Sequence, residues 1–464
     1  MRMYGRESAR RAILLLLLLL TACGGGGSSG LTAPPNPGNG GVSINLYPSA
    51  NDGRRIWLMI TQVGTLPVDA PSGMPVGFDT GSAGLTLYAP DIFPASMLNA
   101  SGFVFPSGQN TLSFNGITVT QLQGERKYGG TSGRTEIGNL GFATITFGDS
   151  AGTLTTASMP VFFFFSITDN SSGAPVPVPV QRGWFGVNDA PNSIVVTGSV
   201  APAGGFPLCD ATATTTCWVA SVLKYVTYSS GVHGGFLLAP SPLQDCSIVT
   251  PGSCSPVAML SVGITDAMKS SYQSESLVCP PAANPYTGPA TIEGYAVCQS
   301  LVGNVSVGVT GSTSASSNGT LSGYALFDTG TPYMVFDVPQ GTVFPTSIEP
   351  NSQVQITLSS GFVYSYTSGT IVTANSGGPY GTLVNAGTAN SFGGDHRGRG
   401  LFHAARILHR LQRQPGGMEI GDTGACAAAT YPPTKPPSNV SSILYTWNGS
   451  FHLPSMWPPL NRCP

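Results

Sequence analysis

Short apolar stretches broken by turn residues run along most of this chain. Val76-Gly77-Phe78-Asp79-Thr80-Gly81-Ser82-Ala83-Gly84-Leu85 enters a turn through apolar residues and leaves it through small ones. Ala325-Leu326-Phe327-Asp328-Thr329-Gly330-Thr331-Pro332-Tyr333 repeats the design 249 residues further on. Gly138-Asn139-Leu140-Gly141-Phe142-Ala143-Thr144-Ile145-Thr146-Phe147-Gly148 alternates as a half-buried strand does. Two further apolar segments, Gly183-Trp184-Phe185-Gly186-Val187-Asn188 and Gly234-Gly235-Phe236-Leu237-Leu238, have strand length. A helical period occurs only late, where Leu401, Ala404, Ala405, Leu408 and Leu411 predict one amphipathic face. With 61 Gly and 39 Pro in 464 residues, the pattern predicts an all-β body of short strands joined by turns, with few helices.

Charge narrows the partners. Only 9% of residues are charged, the net charge is -2, and there is no long like-charge run. The basic stripe that binds a phosphate backbone is therefore missing, and nucleic acid is not an expected partner. The first residues read as a targeting signal. Arg2, Arg6, Arg10 and Arg11 precede an apolar run over 12–20 that falls short of the about 20 residues a spanning helix needs. It ends in Leu20-Thr21-Ala22-Cys23, which resembles the bacterial lipobox, so Cys23 is the expected lipidation site and 1–23 the expected signal peptide. A Gly/Ser/Pro spacer over 24–41 follows. The rival reading is an ordinary export signal with a chance cysteine.

Without Cys23 eight cysteines remain: Cys209, Cys217, Cys246, Cys254, Cys279, Cys298, Cys426 and Cys463. An even number in an exported chain predicts four disulfides, in any of roughly a hundred pairings, of which the sequential one is the simplest. No Cys-x-x-Cys or Cys-x-x-His spacing supports a metal site, and no cofactor is implied.

The two Phe-Asp-Thr-Gly segments carry chemistry. A strand that delivers a carboxylate into a Gly turn lets two such turns approach closely, and neighbouring Thr hydroxyls can hold them. Two facing carboxyls cannot both ionise cheaply, so they share a proton, as the pair in aspartic proteases does. On these motifs the chain resembles the pepsin-like aspartic proteases. The resemblance implies a bilobal fold with its cleft between two β-rich lobes, here 42–230 and 231–464, and Asp79 and Asp328 as the catalytic pair. It implies Thr80, Gly81, Ser82, Thr329, Gly330 and Thr331 as the supporting turns, with Ser82 and Thr331 bonding the outer carboxylate oxygens. Tyr128 and Gly129, in Lys127-Tyr128-Gly129-Gly130-Thr131-Ser132-Gly133, are implied to be the substrate-covering flap, with a surface hairpin as the bland reading. Gly183-Trp184-Phe185-Gly186 is implied to back the first turn. The implied partner is a peptide or protein substrate, with the protein a monomer anchored in a membrane, facing the periplasm or cell surface and most readily on the outer membrane.

Some positions depart from the family. Thr86 and Leu87 stand where a Trp often supports the flap Tyr, with Tyr88 the nearest substitute. A second apolar-apolar-Gly backing element is expected after Asp328. Instead Ser391-Phe392-Gly393-Gly394-Asp395 leads into 397–413, which holds five of the fifteen Arg, with His396, His403 and His409 in or beside it. Three readings stay open: an amphipathic helix on an anionic membrane, a His metal site at unfavourable spacing, or a stretch out of the ancestral reading frame. A third Asp-Thr-Gly, at Asp422, lacks an apolar approach and reads as a turn. The function implied is an acid-active endopeptidase. The alternative, favoured by the Arg/His segment, is a catalytically inert surface binding module on the same scaffold. No Gly-x-Ser-x-Gly elbow with a candidate base supports a serine hydrolase.

Overall fold

The computed structural model describes residues 41–52, 55–68, 73–128, 133–177, 182–189, 191–200, 206–239, 244–250, 252–270, 272–278, 291–292, 295–296, 299–311, 319–326, 328–330, 334–339, 344–345, 348–359, 361, 363–368, 383–388, 400–404, 443–446 and 450–454. Expectations for Cys23, Gly129, Thr331, His396, His409, Asp422 and four of the cysteines lie outside these. Nearly every regular element is a strand, so the expected all-β class is observed. Among the described residues the one α-helix is the short Asp266–Ser270.

The strands that matter for the site are β1 (Val42–Ser49), β2 (Arg55–Val63), β3 (Met74–Asp79), β4 (Ala83–Tyr88), β5 (Ile117–Tyr128), β6 (Arg134–Ala143), β7 (Met159–Asp169) and β8 (Gly183–Val187). They continue with β9 (His233–Leu238), β10 (Val257–Ile264), β11 (Gly319–Leu326), β12 (Met334–Pro339), β13 (Leu383–Thr388) and β14 (Gly400–Ala404). Their composition explains their depth. Ile56, Trp57, Leu58, Met59 and Ile60 of β2 are all buried, which marks a strand covered on both faces. In β7 the alternation sorts the phenylalanines. Phe163 joins the main core, its ring 5.1 Å from that of Phe93, while Phe162 and Phe164 fill a second cluster with Leu140, Ile194, Cys209 and Cys217.

An arrangement of four strands occurs twice. β8 runs parallel to β3, pairing Phe185 with Phe78, and antiparallel to β4, pairing Phe185 with Leu85; β7 runs parallel to β4. In the second copy β14 runs parallel to β11, pairing Phe402 with Ala325, and antiparallel to β12, pairing Phe402 with Phe336; β13 runs parallel to β12. This corrects two expectations about the Arg/His segment. Residues 400–404 form a strand, not the start of a helix, and that strand occupies the backing position expected to be missing. A short stretch entered through Gly400 and apolar at Leu401 and Phe402 can satisfy two strand neighbours, and that tertiary pairing overrides the local helical period.

β1 joins the two groups of strands. Its first half pairs with β10, Ile44 opposite Leu260, and its second half with β2, Tyr47 opposite Trp57. Phe78 reaches across in the same way, its ring 6.3 Å from that of Phe185 and 5.9 Å from that of Phe236 on β9.

Two disulfides close short loops, Cys209–Cys217 and Cys246–Cys254, each spanning 8 residues, as the sequential pairing expected. Cys246 and Cys254 pack with Trp57, Met59 and Ile248. Replacing both by serine is expected to lower stability by about 2–3 kcal/mol, read from urea unfolding, because a loop this short still constrains the unfolded chain. Disulfides of this kind belong to oxidising, exported settings. Among the described residues no helix is long and apolar enough to cross a membrane.

Candidate active site: two facing carboxyl turns

The strand β3 ends on Asp79, and the turn after it carries Thr80, Gly81 and Ser82; β11 leads likewise to Asp328, Thr329 and Gly330. The structure brings these two turns together. Thr80 N–H donates to Thr329 Oγ1 at 3.1 Å, and Thr329 N–H donates to Thr80 Oγ1 at 3.0 Å, a reciprocal clamp. Thr329 Oγ1 also donates to Phe78 O at 2.7 Å, tying the second turn to the strand that delivers the first carboxyl.

Each carboxyl is held in its own turn. Gly81 N–H donates to Asp79 Oδ1 at 2.7 Å, and Ser82 Oγ donates to Asp79 Oδ2 at 2.5 Å. Gly330 N–H donates to Asp328 Oδ1 at 2.7 Å. Thr80, Ser82, Asp79, Asp328 and Thr329 are all buried. The glycines are required by proximity. A Cβ on Gly81 would sit 2.4 Å from Asp328 Cγ, and one on Gly330 would sit 2.7 Å from Asp79 Oδ1. The first turn is also braced from behind, by Asn188 Nδ2 donating to Gly81 O at 3.1 Å and by Ala83 N–H donating to Asn192 Oδ1 at 2.7 Å.

Burial pushes the Asp79 carboxyl up to about 7; the facing Asp328 charge and a hydrogen bond with it add to this, while bonds from Ser82 and Gly81 oppose it. A buried carboxyl pair in contact is stable with one shared proton, so each carboxyl can serve a different half of an acid–base reaction.

Tyr128 ends β5 at the tip of the hairpin with β6. The hairpin is fastened at this end. Asn170 Nδ2 donates to Tyr128 O at 3.0 Å, Asn170 N–H donates to Gly133 O at 3.0 Å, and Thr135 Oγ1 donates to Asn170 Oδ1 at 2.6 Å. The ring that supports Tyr128 is Trp184, with centroids 5.7 Å apart, rather than Tyr88, whose ring packs on Phe164 at 5.4 Å. Trp184 arrives from β8 and not from the strand after Asp79, so a comparison by position along one strand could not find it.

Sequence reasoning also missed four charged residues. Arg126 and Glu136 are almost wholly buried, Arg134 Nη2 meets Glu136 Oε1 at 3.1 Å, and Arg126 Nη2 donates to Ala83 O at 2.8 Å at the exit of the first turn. Arg55 donates to Gly330 O at 2.7 Å while its guanidinium lies 4.5 Å from the Trp184 ring centre. The only signal in sequence is the rarity of charge: where 9% of residues are charged, Arg126, Arg134 and Glu136 within one hairpin form a local excess.

The class that fold and site define is an all-β protein with two Asp-Thr-Gly turns clamped face to face. In structure the chain is similar to the crystal structure of basic 7S globulin from soybean, at 11% identity over 89% of this chain and 96% of that one, with a TM-score of 0.43. No family model matches the chain, and no curated protein does.

Proposed function

We propose that this protein is an aspartic endopeptidase, and the observation that carries the reading is the contact of the Asp79 and Asp328 carboxyls, buried and clamped through Thr80 and Thr329. A water between the carboxyls loses a proton to the ionised one as its oxygen attacks the scissile carbonyl carbon. The protonated one donates its proton to the carbonyl oxygen. The resulting tetrahedral diol collapses: the C–N bond breaks, the proton taken from water passes to the leaving amine, and one diol hydroxyl gives its proton to the ionised carboxylate as the C=O re-forms, which restores the shared proton of the pair. Ser82 holds the outer oxygen of Asp79, and Tyr128, with Gly129 beside it, covers the substrate. Thr331 plays for Asp328 the part that Ser82 plays for Asp79. No cofactor takes part. The two lobes of the reading are 42–230 and 231–464, and a lipid on Cys23 anchors the protein through the 24–41 spacer to a membrane of the cell envelope, where it acts as a monomer on extended peptides.

The test is digestion of denatured casein by the full-length protein from acid to neutral pH, beside Asp79→Asn. Because the shared proton is held up to about 7, hydrolysis is expected in acid and is expected to fade as pH rises through about 7. The variant is expected to lose at least a thousandfold in rate, about the scale of losing an acid–base partner. A folded protein that leaves casein intact at every pH would sink the endopeptidase reading and favour an inert binding module.

The same proton affects stability. The folded state keeps a proton on Asp79 at pH values where the unfolded chain, with an ordinary carboxylate, has released it. Stability from this group is therefore present below about 4 and is lost as pH rises toward 7, a slope expected to flatten in Asp79→Asn.

A further inference from the structure

Beneath the hairpin, charge is concentrated in a chain that has little of it. Arg126 stands opposite Glu136 in the β5/β6 register, and Tyr128 stands opposite Arg134, so alternation puts all four on one face. That face meets Trp184. The Arg134 guanidinium lies 5.5 Å from the indole centre, Arg55 lies 4.5 Å from it, and the Tyr128 ring lies 5.7 Å away. Three of the fifteen Arg thus gather around one indole and one Glu. The Arg55 bond to Gly330 O ties the group to the second carboxyl turn.

The cluster is short of acceptors. Four of its buried polar atoms lack a well-formed hydrogen bond among the described residues: Arg126 Nη1, Trp184 Nε1, Tyr128 Oη and Glu136 Oε2. The Thr86 hydroxyl lies beside both Tyr128 and Glu136 but has one proton to give. Of the four atoms, two can only donate, the tyrosine hydroxyl can donate, and a single carboxylate oxygen accepts. Buried donors without acceptors are costly, and a group that brings oxygen atoms and negative charge relieves that cost. Arg134, Tyr128 and Arg55 are only half-buried, so the cluster is open to the solvent side.

We propose that this cluster is a subsite for an acidic side chain, Asp or Glu, of a peptide substrate, with Arg134 as the principal specificity-determining residue. In taking a peptide as the ligand, it rests on the endopeptidase reading above. A guanidinium and a carboxylate can form two parallel charge-assisted hydrogen bonds, which an amide of the same shape cannot match. A lysine side chain would enter among three cations and be repelled.

The test gives the full-length protein short internally quenched peptides in which Glu, Gln or Lys is stepped through every position. At one position Glu is expected to be cleaved about tenfold faster than Gln, with Lys slowest. In Arg134→Met the Glu-to-Gln ratio is expected to fall to about one, and Arg134→Lys is expected to restore part of it. Equal rates for Glu and Gln at every position of the wild-type series would overturn the inference without recourse to a variant, and so would a preference that survives Arg134→Met. Binding of the same peptides, labelled and followed by anisotropy, separates the two readings. Glu-selective binding without cleavage keeps the subsite and removes the endopeptidase; cleavage without Glu selectivity does the reverse; peptides neither bound nor cut remove both.

Discussion

Gly81→Ala is expected to cost at least a hundredfold in peptide hydrolysis and about 1–3 kcal/mol in stability. The added methyl would lie 2.4 Å from Asp328 Cγ and 2.5 Å from its Oδ1, closer than any real side chain tolerates. Asp328 cannot swing aside cheaply, because Gly330 N–H holds its Oδ1 and the Thr80–Thr329 clamp holds its turn. The strain therefore goes into the separation of the two turns, on which sharing a proton depends. Gly308→Ala is the control, since a Cβ there meets nothing within 4 Å. Thermal unfolding and casein digestion of both variants decide the matter. If Gly81→Ala is as active as Gly308→Ala, the two turns are not held as tightly as their hydrogen bonds imply.

The residues that meet at these turns are legible in the sequence because the chemistry is carried by short, contiguous motifs. An apolar strand, a carboxylate and a Gly can be read from a few neighbouring letters, and finding the set twice points to a pair. What is not legible depends on residues meeting from separate strands. Trp184 reads in sequence only as part of the element backing the first turn, yet its ring also packs at a tilt on that of Tyr128, because β8 lies between β3 and β4 and turns its alternate residues toward the hairpin. The local period of Gly400–Ala404 is helical, and only its neighbours β11 and β12 make it a strand. Arg126 and Glu136 look in sequence like ordinary exposed hairpin charges. Their burial follows from what packs on that face of the hairpin from separate strands, Trp184 of β8 against Tyr128 and Arg134, and the Ala83 carbonyl against Arg126.

That burial sets up the second large effect. Arg126→Met is expected to destabilise the protein by about 3–5 kcal/mol near neutral pH, because it leaves Glu136 as a buried carboxyl with Arg134 as its remaining cation and removes the guanidinium bond to Ala83 O. Burial raises the Glu136 carboxyl above its ordinary range, against the pull of Arg134 and Arg126. A carboxyl with a raised folded-state value favours folding while it is protonated and loses that contribution as pH rises. The penalty of Arg126→Met should therefore shrink in acid, where Glu136 holds a proton and needs no cation, and grow toward neutral pH. Replacing the pair together, Arg126→Met with Glu136→Leu, is expected to recover most of the lost stability, since apolar side chains of similar volume avoid the desolvation of both charges. Urea unfolding of the single and double variants at acidic and neutral pH measures this directly. A recovered stability in the double variant would mean that the buried pair is not needed for folding, which leaves its place beside Tyr128 and Trp184 to be explained by what binds there. A double variant as unstable as the single one would make the pair a structural strut, holding Ala83 and with it the exit of the first carboxyl turn.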